Sequence, residues 1–414
     1  MGRPQSQPGL GLAPNAVLQR APELMLQVRS DGYTTIQSDD RIGECGPHTL
    51  SILDAFSRPM TFHAALESLQ GRVHGPQEWI DLTTAIVHLY ESGALVDVSR
   101  AAPPLQSTRR GFASAAIHIK MLNDRARTES YLAAIAEVVK PGDVVVDLGT
   151  GTGVLAVAAA RAGASHVYAV EASSIGRSAQ AVFDANGLAD KITLVPGWST
   201  EVTLPERADV LVSEIIGNEP LEERVLEATA DAIKRHLNPG ARLIPHTVRV
   251  YCLPVEVPES VIGEHKFTAF AQANWQEWYG IDFSPLYQAS THTAPYLFLV
   301  RPFRTREWKR LGEPGLVLDM GLDQGLPRIE GRADVIASAS GTLNGVLMYF
   351  ELTLAPGVDL SLHPDRVTDS CSWHSPVWLL RSPLQVEPGQ RLSLAYSYRG
   401  SRVPSRVQVE RVAG

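Results

Sequence analysis

Apolar and polar positions fall into readable periods from about residue 33 onward. Tyr33-Thr-Thr-Ile-Gln is a β-type run. After Pro47, apolar residues at Leu50, Ile52, Leu53 and Phe56 have helical spacing, and Pro59 stops that helix. Thr61 is placed to cap a second helix with Phe62, Ala65, Leu66 and Leu69 inward. Pro76 opens a third helix over 77–92, carrying Trp79, Ile80, Leu82, Ile86, Leu89 and Tyr90. Gly93 ends it, and Ala94-Leu-Val returns as a strand. A strand, three helices and a closing strand predict a small winged-helix-like α+β module over 29–98. Residues 1–28, rich in Pro, Gly and Gln without a period, predict a flexible tail. Residues 99–109, with Pro103-Pro104, predict a linker.

The texture changes again after Pro141-Gly142. Short apolar runs at Val144-Val-Val, Val167-Tyr-Ala-Val, Ile192-Thr-Leu-Val, Val210-Leu-Val and Ala241-Arg-Leu-Ile alternate with helical stretches near 155–162, 174–187 and 219–237. Such alternation predicts a parallel sheet with helical crossovers, an α/β Rossmann-like domain over 110–245. From 246 to 414 strands, Gly and Pro dominate, predicting an all-β, barrel-like domain. The expected fold class is therefore α/β plus all-β, preceded by the small α+β module.

Composition narrows the function classes. The 414 residues carry a net charge of −8, and 44% of them are hydrophobic. That is a soluble globular composition without the basic surface of a nucleic-acid binder. Three scattered cysteines, Cys45, Cys252 and Cys371, predict neither a disulfide framework nor a zinc site, and no metal is expected. The N-terminal residues have no signal-peptide core, and no apolar run reaches about 18 residues. A cytoplasmic protein without membrane partners is the expectation.

Candidate chemistry concentrates at Val146-Asp147-Leu148-Gly149-Thr150-Gly151-Thr152-Gly153, which follows a strand and opens a helix. Glycines at such a turn let the backbone approach a ligand closely. Glu171 ends the next strand, 22 residues beyond Gly149, a spacing suited to a carboxylate that binds ribose hydroxyls.

This stretch resembles class I S-adenosylmethionine methyltransferases. Flanking stretches resemble, more specifically, the protein arginine methyltransferases: Ile117-His-Ile-Lys-Met-Leu-Asn-Asp-Arg-Ala-Arg-Thr128, Gly163-Ala-Ser-His-Val-Tyr-Ala-Val-Glu171, Ser213-Glu214-Ile-Ile-Gly217 with Glu223 nine residues beyond Glu214, and Trp275-Gln-Glu-Trp-Tyr-Gly-Ile-Asp-Phe-Ser284. The resemblance implies an S-adenosylmethionine site in which Arg127 pairs with the methionyl carboxylate and His118 lines the pocket. In it Asp147, Gly149 and Gly151 form the turn, Glu171 binds the ribose, and Thr200 or its neighbour Glu201 meets the adenine. It implies that Glu214 and Glu223 clamp an acceptor guanidinium, with Met121, Asp124, Trp373 and His374 supporting the substrate or the loop. It also implies a homodimer built through an arm around 268–290.

This chain departs from the family pattern in three places, one of them the N-terminal module, which is not part of the ordinary arginine methyltransferase pattern. The aromatic lid before the helix reads Thr108, Arg109 and Phe112, and the family's Thr-His-Trp loop reads Cys371-Ser372-Trp373, followed by His374. The histidine that braces the glutamate loop is thus missing or displaced, while its partner Asp124 is present. Acids at Glu219, Glu222 and Glu227 extend an acidic stretch suited to a cationic acceptor, or simply form a solvated helix start. The N-terminal module resembles PqqD-like peptide-recognition elements, which bind a precursor-peptide leader as an added strand, with the edge near 33–37; the alternative is a packing or dimer module. The preferred expectation is side-chain N-methylation, most of all of arginine, on a peptide or protein, including a ribosomally made precursor peptide. The alternatives are histidine or another side chain as acceptor, or a non-catalytic regulatory protein that senses the cofactor.

Overall fold

The computed structural model describes residues 16–21, 24–28, 34–38, 41–45, 48–91, 94–98, 112–287, 296–325, 329–398 and 405–412. They divide into two compact units: 1–117 with 170–182 and 194–202, and 118–169 with 183–193 and 203–414. No helix among the described residues is long and apolar enough to cross a membrane.

The first unit begins with β1 (Val17–Arg20), β2 (Met25–Val28), β3 (Thr34–Ser38) and β4 (Arg41–Cys45). Then come α1 (Thr49–Ala55), β5 (Met60–Thr61), α2 (Phe62–Leu69), α3 (Pro76–Glu91) and β6 (Leu95–Asp97). Thr61 caps α2 as its residue type suggests, its hydroxyl accepting from Ala64 N at 3.2 Å. The core gathers Leu18, Ile52, Phe56, Ile86 and Leu89, each 0% exposed.

Two expectations are corrected here. The tail expected over 1–28 holds two strands: β1 is the central strand of an antiparallel β5-β1-β6 sheet, and β2 pairs with β3. Four residues with one deeply buried side chain, Leu18, leave no period to read, and the partners of β1 lie about 40 and 75 residues away. The strand expected as an edge near 33–37 is β3, the middle of β2-β3-β4; among the described strands the edges are β2 and β4. Tyr33, Gly93, Thr108, Arg109 and the expected linker lie outside the described residues.

The chain continues with α4 (Ala115–Leu122), α5 (Arg125–Val138), β7 (Val144–Leu148), α6 (Val154–Arg161), β8 (His166–Glu171) and α7 (Gly176–Ala185). Next are β9 (Ile192–Pro196), β10 (Ala208–Ser213), α8 (Val225–Arg235) and β11 (Leu237–Ile244). The five strands lie in the order β11-β10-β7-β8-β9. β10 runs parallel to both β7 and β11. The near-continuous apolar runs of β7 and β10 reflect strands buried on both faces.

The β-rich part opens with β12 (Thr247–Glu256), followed by α9 (Glu259–His265), α10 (Ala269–Tyr279), β13 (Tyr296–Val300) and β14 (Lys309–Arg310). It continues through β15 (Gly315–Gly321), β16 (Ile329–Ile336), β17 (Gly341–Ala355) and β18 (Val358–Ser361). β19 (Ser375–Val386), β20 (Arg391–Tyr398) and β21 (Arg406–Arg411) close it. A large sheet runs β13-β19-β17-β12-β14 with β15 on β12 and β18 on β17, and β16-β20-β21 form a second. Helix α5 packs on β17 and β18. Most of the α/β segment (118–169, 183–193 and 203–245) and the all-β segment, expected to part at 245, share one compact unit.

The aromatic segment 275–284, expected in a strand-rich setting, belongs in part to α10. Thr268 caps that helix by accepting from Ala271 N at 3.0 Å, and Gly280 ends it at φ 65°. Trp278 and Tyr279 are 60% and 61% exposed.

Candidate active site

The turn after β7 is shaped by its glycines. Gly149 and Gly151 sit at φ +72° and +57°, where a side chain is strained. A Cβ on Gly149 would meet Ile215 Cγ2 at 2.7 Å, and one on Gly151 would meet the His118 ring at 2.8 Å. At Gly153, the N-cap of α6, it would meet the Phe183 ring at 2.3 Å. Asp147 is fully buried and accepts the Thr150 hydroxyl at 2.5 Å. His118, on α4, is buried against this turn.

Beside it, Asp124 performs two tasks. One carboxylate oxygen caps α5 by accepting Arg127 N at 3.2 Å. The other accepts Ser372 N at 2.7 Å and the Ser372 hydroxyl at 3.0 Å. Ser372 thus stands where the resemblance leads one to look for a histidine, and it supplies two donors to the same aspartate.

Arg127 is the hub. Its guanidinium forms an ion pair with Glu214, the residue following β10. It also donates to the Met121 carbonyl at 3.3 Å and lies 5.1 Å from the centre of the Trp373 ring. Among the described residues its buried Nε has no hydrogen-bond partner. Burial lowers the Arg127 pKa, opposed by the fields of Tyr131, Asp124, Cys371 and Glu223. Both expected clamp residues therefore act on one guanidinium, Glu214 by contact and the half-buried Glu223 through its charge. Tyr131 lies beneath, 1% exposed, donating to Ser213 O at 3.4 Å. Burial pushes its hydroxyl pKa up.

The glutamate loop, 214–224, is fastened from the β-rich side. Trp373 Nε1 donates to Ile216 O at 2.8 Å, and His374 N donates to Asn218 Oδ1 at 2.7 Å. His374 serves through its backbone in that bond. Burial and the charges of Lys120 and Arg301 lower its ring pKa. Arg224 adopts φ 66° at the loop's end, the left-handed region seldom used by a side-chain-bearing residue. A cavity of about 290 Å³ is lined by Asp124, Arg127, Leu362, Val367, Cys371 and Trp373.

The acidic stretch is only partly the solvated or acceptor-facing patch expected. Glu219 is 7% exposed and accepts the Tyr396 hydroxyl. Glu222 accepts Asn218 N at 3.1 Å. Among the described residues, no group of His, Cys, Asp and Glu is arranged to hold a metal ion.

Three of the expected cofactor residues belong to the first unit. Glu171 ends β8, is 8% exposed, and accepts Ser173 N at 2.7 Å. Thr200 and Glu201 lie on an exposed turn, with Glu201 N donating to Trp198 O at 2.9 Å. The sequence reading missed Tyr131, Ser372 as a brace, Glu219 and Tyr396. Only Ser372 carried a signal, a small donor beside Trp373.

Comparison with known proteins gives a consistent set. A family model for ribosomal protein L11 methyltransferase (PrmA) matches residues 124–283. "Probable protein arginine N-methyltransferase 6" of Arabidopsis thaliana is 38% identical over 185 residues, 44% of this chain and 41% of that protein. "Probable histone-arginine methyltransferase CARM1" of Oryza sativa subsp. indica is 32% identical over 299 residues, 66% of this chain and 52% of that protein. The chain spans about half the length of these curated relatives. Among solved structures, the Trypanosoma brucei PRMT1 enzyme-prozyme heterotetrameric complex with AdoHcy aligns with a TM-score of 0.60 at 23% identity, over 73% of this chain and all of that one. That likeness is one of fold.

Proposed function

We propose that this protein is an S-adenosylmethionine-dependent N-methyltransferase acting on the guanidinium of an arginine in a peptide or protein. One observation carries the reading: the carboxylate of Glu214 holds a guanidinium in this structure, that of Arg127, which lies over the Trp373 ring and in the field of Glu223. Relatives named as arginine methyltransferases support it.

The residues fit the cofactor. The close backbone turn at Gly149 and Gly151, the neighbouring His118 ring and the unpartnered Nε of Arg127 form a cradle with cationic character. Arg127 would donate its Nε–H to a carboxylate, and Glu171 would hold ribose hydroxyls. When bound, the cofactor supplies a methyl group on a positively charged sulfur. The protein's own part is positioning and charge. A guanidinium is a poor nucleophile because its lone pairs are delocalised. Glu214 and Glu223, accepting its N–H groups, fix its plane and concentrate electron density on the nitrogen to be methylated. Asp124, Ser372 and Trp373 keep the carrier segments in register.

The test uses methyl-labelled S-adenosylmethionine with synthetic arginine and histidine peptides. The expected product is Nω-methylarginine after hydrolysis, lost in Glu214→Gln. Label on histidine, or on neither peptide, overturns the reading.

Two finer points belong to the same proposal. The exposed apolar face of α10 and the segment after it, with Trp278, Tyr279, Ile281 and Tyr287, is read as the arm that packs on a second copy. The N-terminal module is read as a recruiter of a peptide leader through an edge strand, β2 or β4. Deleting 1–98 should then raise KM for a leader-bearing peptide and leave that for a short core peptide unchanged.

A further inference from the structure

The loop between β10 and α8 contains a third carboxylate for which the proposed chemistry has no use. Glu219 sits between Glu214 and Glu223 yet is 7% exposed. It accepts the hydroxyl of Tyr396, on β20, which is 1% exposed. Tyr398, two residues along, is 2% exposed, and among the described residues its hydroxyl has no hydrogen-bond partner; nor has one buried carboxylate oxygen of Glu227, in the first turn of α8. The charged and titratable groups around this cluster are Glu222, Arg224 and Glu227 from the loop and α8, Tyr396 and Tyr398 from β20, and Cys252 from β12. Burial pushes Glu219 up to about 7. The Tyr396 bond and the N–H groups of Leu221 and Glu222 oppose the shift, and the Glu222 charge reinforces it.

A buried carboxylate is costly unless it is firmly bonded. Here the bond joins the centre of the glutamate loop to a strand 177 residues away. Ile216 and Asn218 are tied to Trp373 and His374. Glu219 adds an attachment to a different strand. With all three in place, a shift of the loop at 216–219 breaks a bond to the β-rich segment.

We infer that Glu219 is a positioning residue: through its hydrogen bond with Tyr396 it anchors the middle of the glutamate loop to the β-rich segment and fixes the relative placement of Glu214 and Glu223. The inference rests on the reading of those two as the acceptor clamp. A displacement of 1 Å at such a site can cost about 100-fold in rate.

The experiment compares full-length protein with Glu219→Gln, Glu219→Leu and Tyr396→Phe. Amide hydrogen exchange is followed over 214–224, and kcat and KM are measured with S-adenosylmethionine and a synthetic arginine peptide. Glu219→Leu and Tyr396→Phe should speed exchange of the loop about tenfold or more while leaving α5 and β12 protected. Both should lower kcat about 10- to 100-fold, with KM for S-adenosylmethionine within about twofold of the unaltered protein. Glu219→Gln keeps a carbonyl acceptor for Tyr396 and should retain both loop protection and kcat. Tyr396→Phe removes a single oxygen and decides the matter if Glu219→Leu does not fold. Unchanged exchange and kcat in Tyr396→Phe, or equal losses in Glu219→Gln and Glu219→Leu, overturn the inference. If the unaltered protein methylates no arginine, the clamp reading fails, and the exchange measurement alone decides the anchor.

Discussion

Two turns follow neighbouring parallel strands of the same sheet and are built on opposite plans. The turn after β7 is shaped from within: Gly149, Gly151 and Gly153 adopt left-handed backbone that their own residue type permits, and neighbouring side chains close over them. The loop after β10 is shaped from outside. Its left-handed residue is Arg224, and its path is fixed by Trp373, His374 and Tyr396 from the β-rich segment. A locally determined turn resists distant change and breaks under local substitution. A remotely determined loop behaves the other way.

The sharpest way to break the first turn is Gly153→Ala. It combines a left-handed φ of +84° with a Cβ 2.3 Å from the Phe183 ring. Strain and overpacking together should cost about 4 kcal/mol in urea denaturation. A cost below about 1 kcal/mol would mean the turn is not so shaped.

Next is a pH effect that belongs to the second loop alone. Glu219 has a folded-state value near 7 against its usual 4.5. Between those values the folded chain keeps a proton that the unfolded chain has released. Stability therefore falls as pH rises from about 4.5 to about 7, by about 3 kcal/mol at most, and is level above. Glu219→Gln should flatten that slope and be the more stable form at pH 8, as read from urea midpoints across pH.

Asp124→Ala removes the cap of α5 and leaves the Ser372 N–H without its acceptor, for about 2 kcal/mol. Since both losses fall where α5 meets 371–374, loop exchange should rise while the glycine turn stays protected. The smallest effect is a gain. Arg224→Gly relieves a left-handed side-chain-bearing residue and should stabilise by about 0.5 kcal/mol, net of the added freedom of the unfolded chain.

What was legible follows the same division. The glycine turn, the Thr61 cap and the strand alternation all lie within a few adjacent residues, and each was readable. Resemblance singled out Arg127, Asp124, Glu214 and Glu223 but not the pairing of Arg127 with Glu214, since it pointed Arg127 toward the cofactor. The bonds Asp124–Ser372 and Glu219–Tyr396 join residues 248 and 177 apart, a separation at which no local period exists. Glu219 was misread because acidic residues near a helix start are most often solvated. Helix α10 was masked by its aromatics, although Ala269, Ala271 and Ala273 alternate through it as good helix formers.

The bond between Asp124 and Ser372 also sets a timetable. At about 5–20 residues per second, a ribosome that has just added Asp124 needs on the order of 12–50 s to add Ser372. Within that interval the glycine turn is complete by residue 153 and the side chains that close over it by residue 215, while the Asp124 carboxylate and the Ile216 carbonyl still wait for Ser372 and Trp373. The nascent chain can thus close the glycine turn well before the glutamate loop acquires its braces, which arrive with residues 372–396.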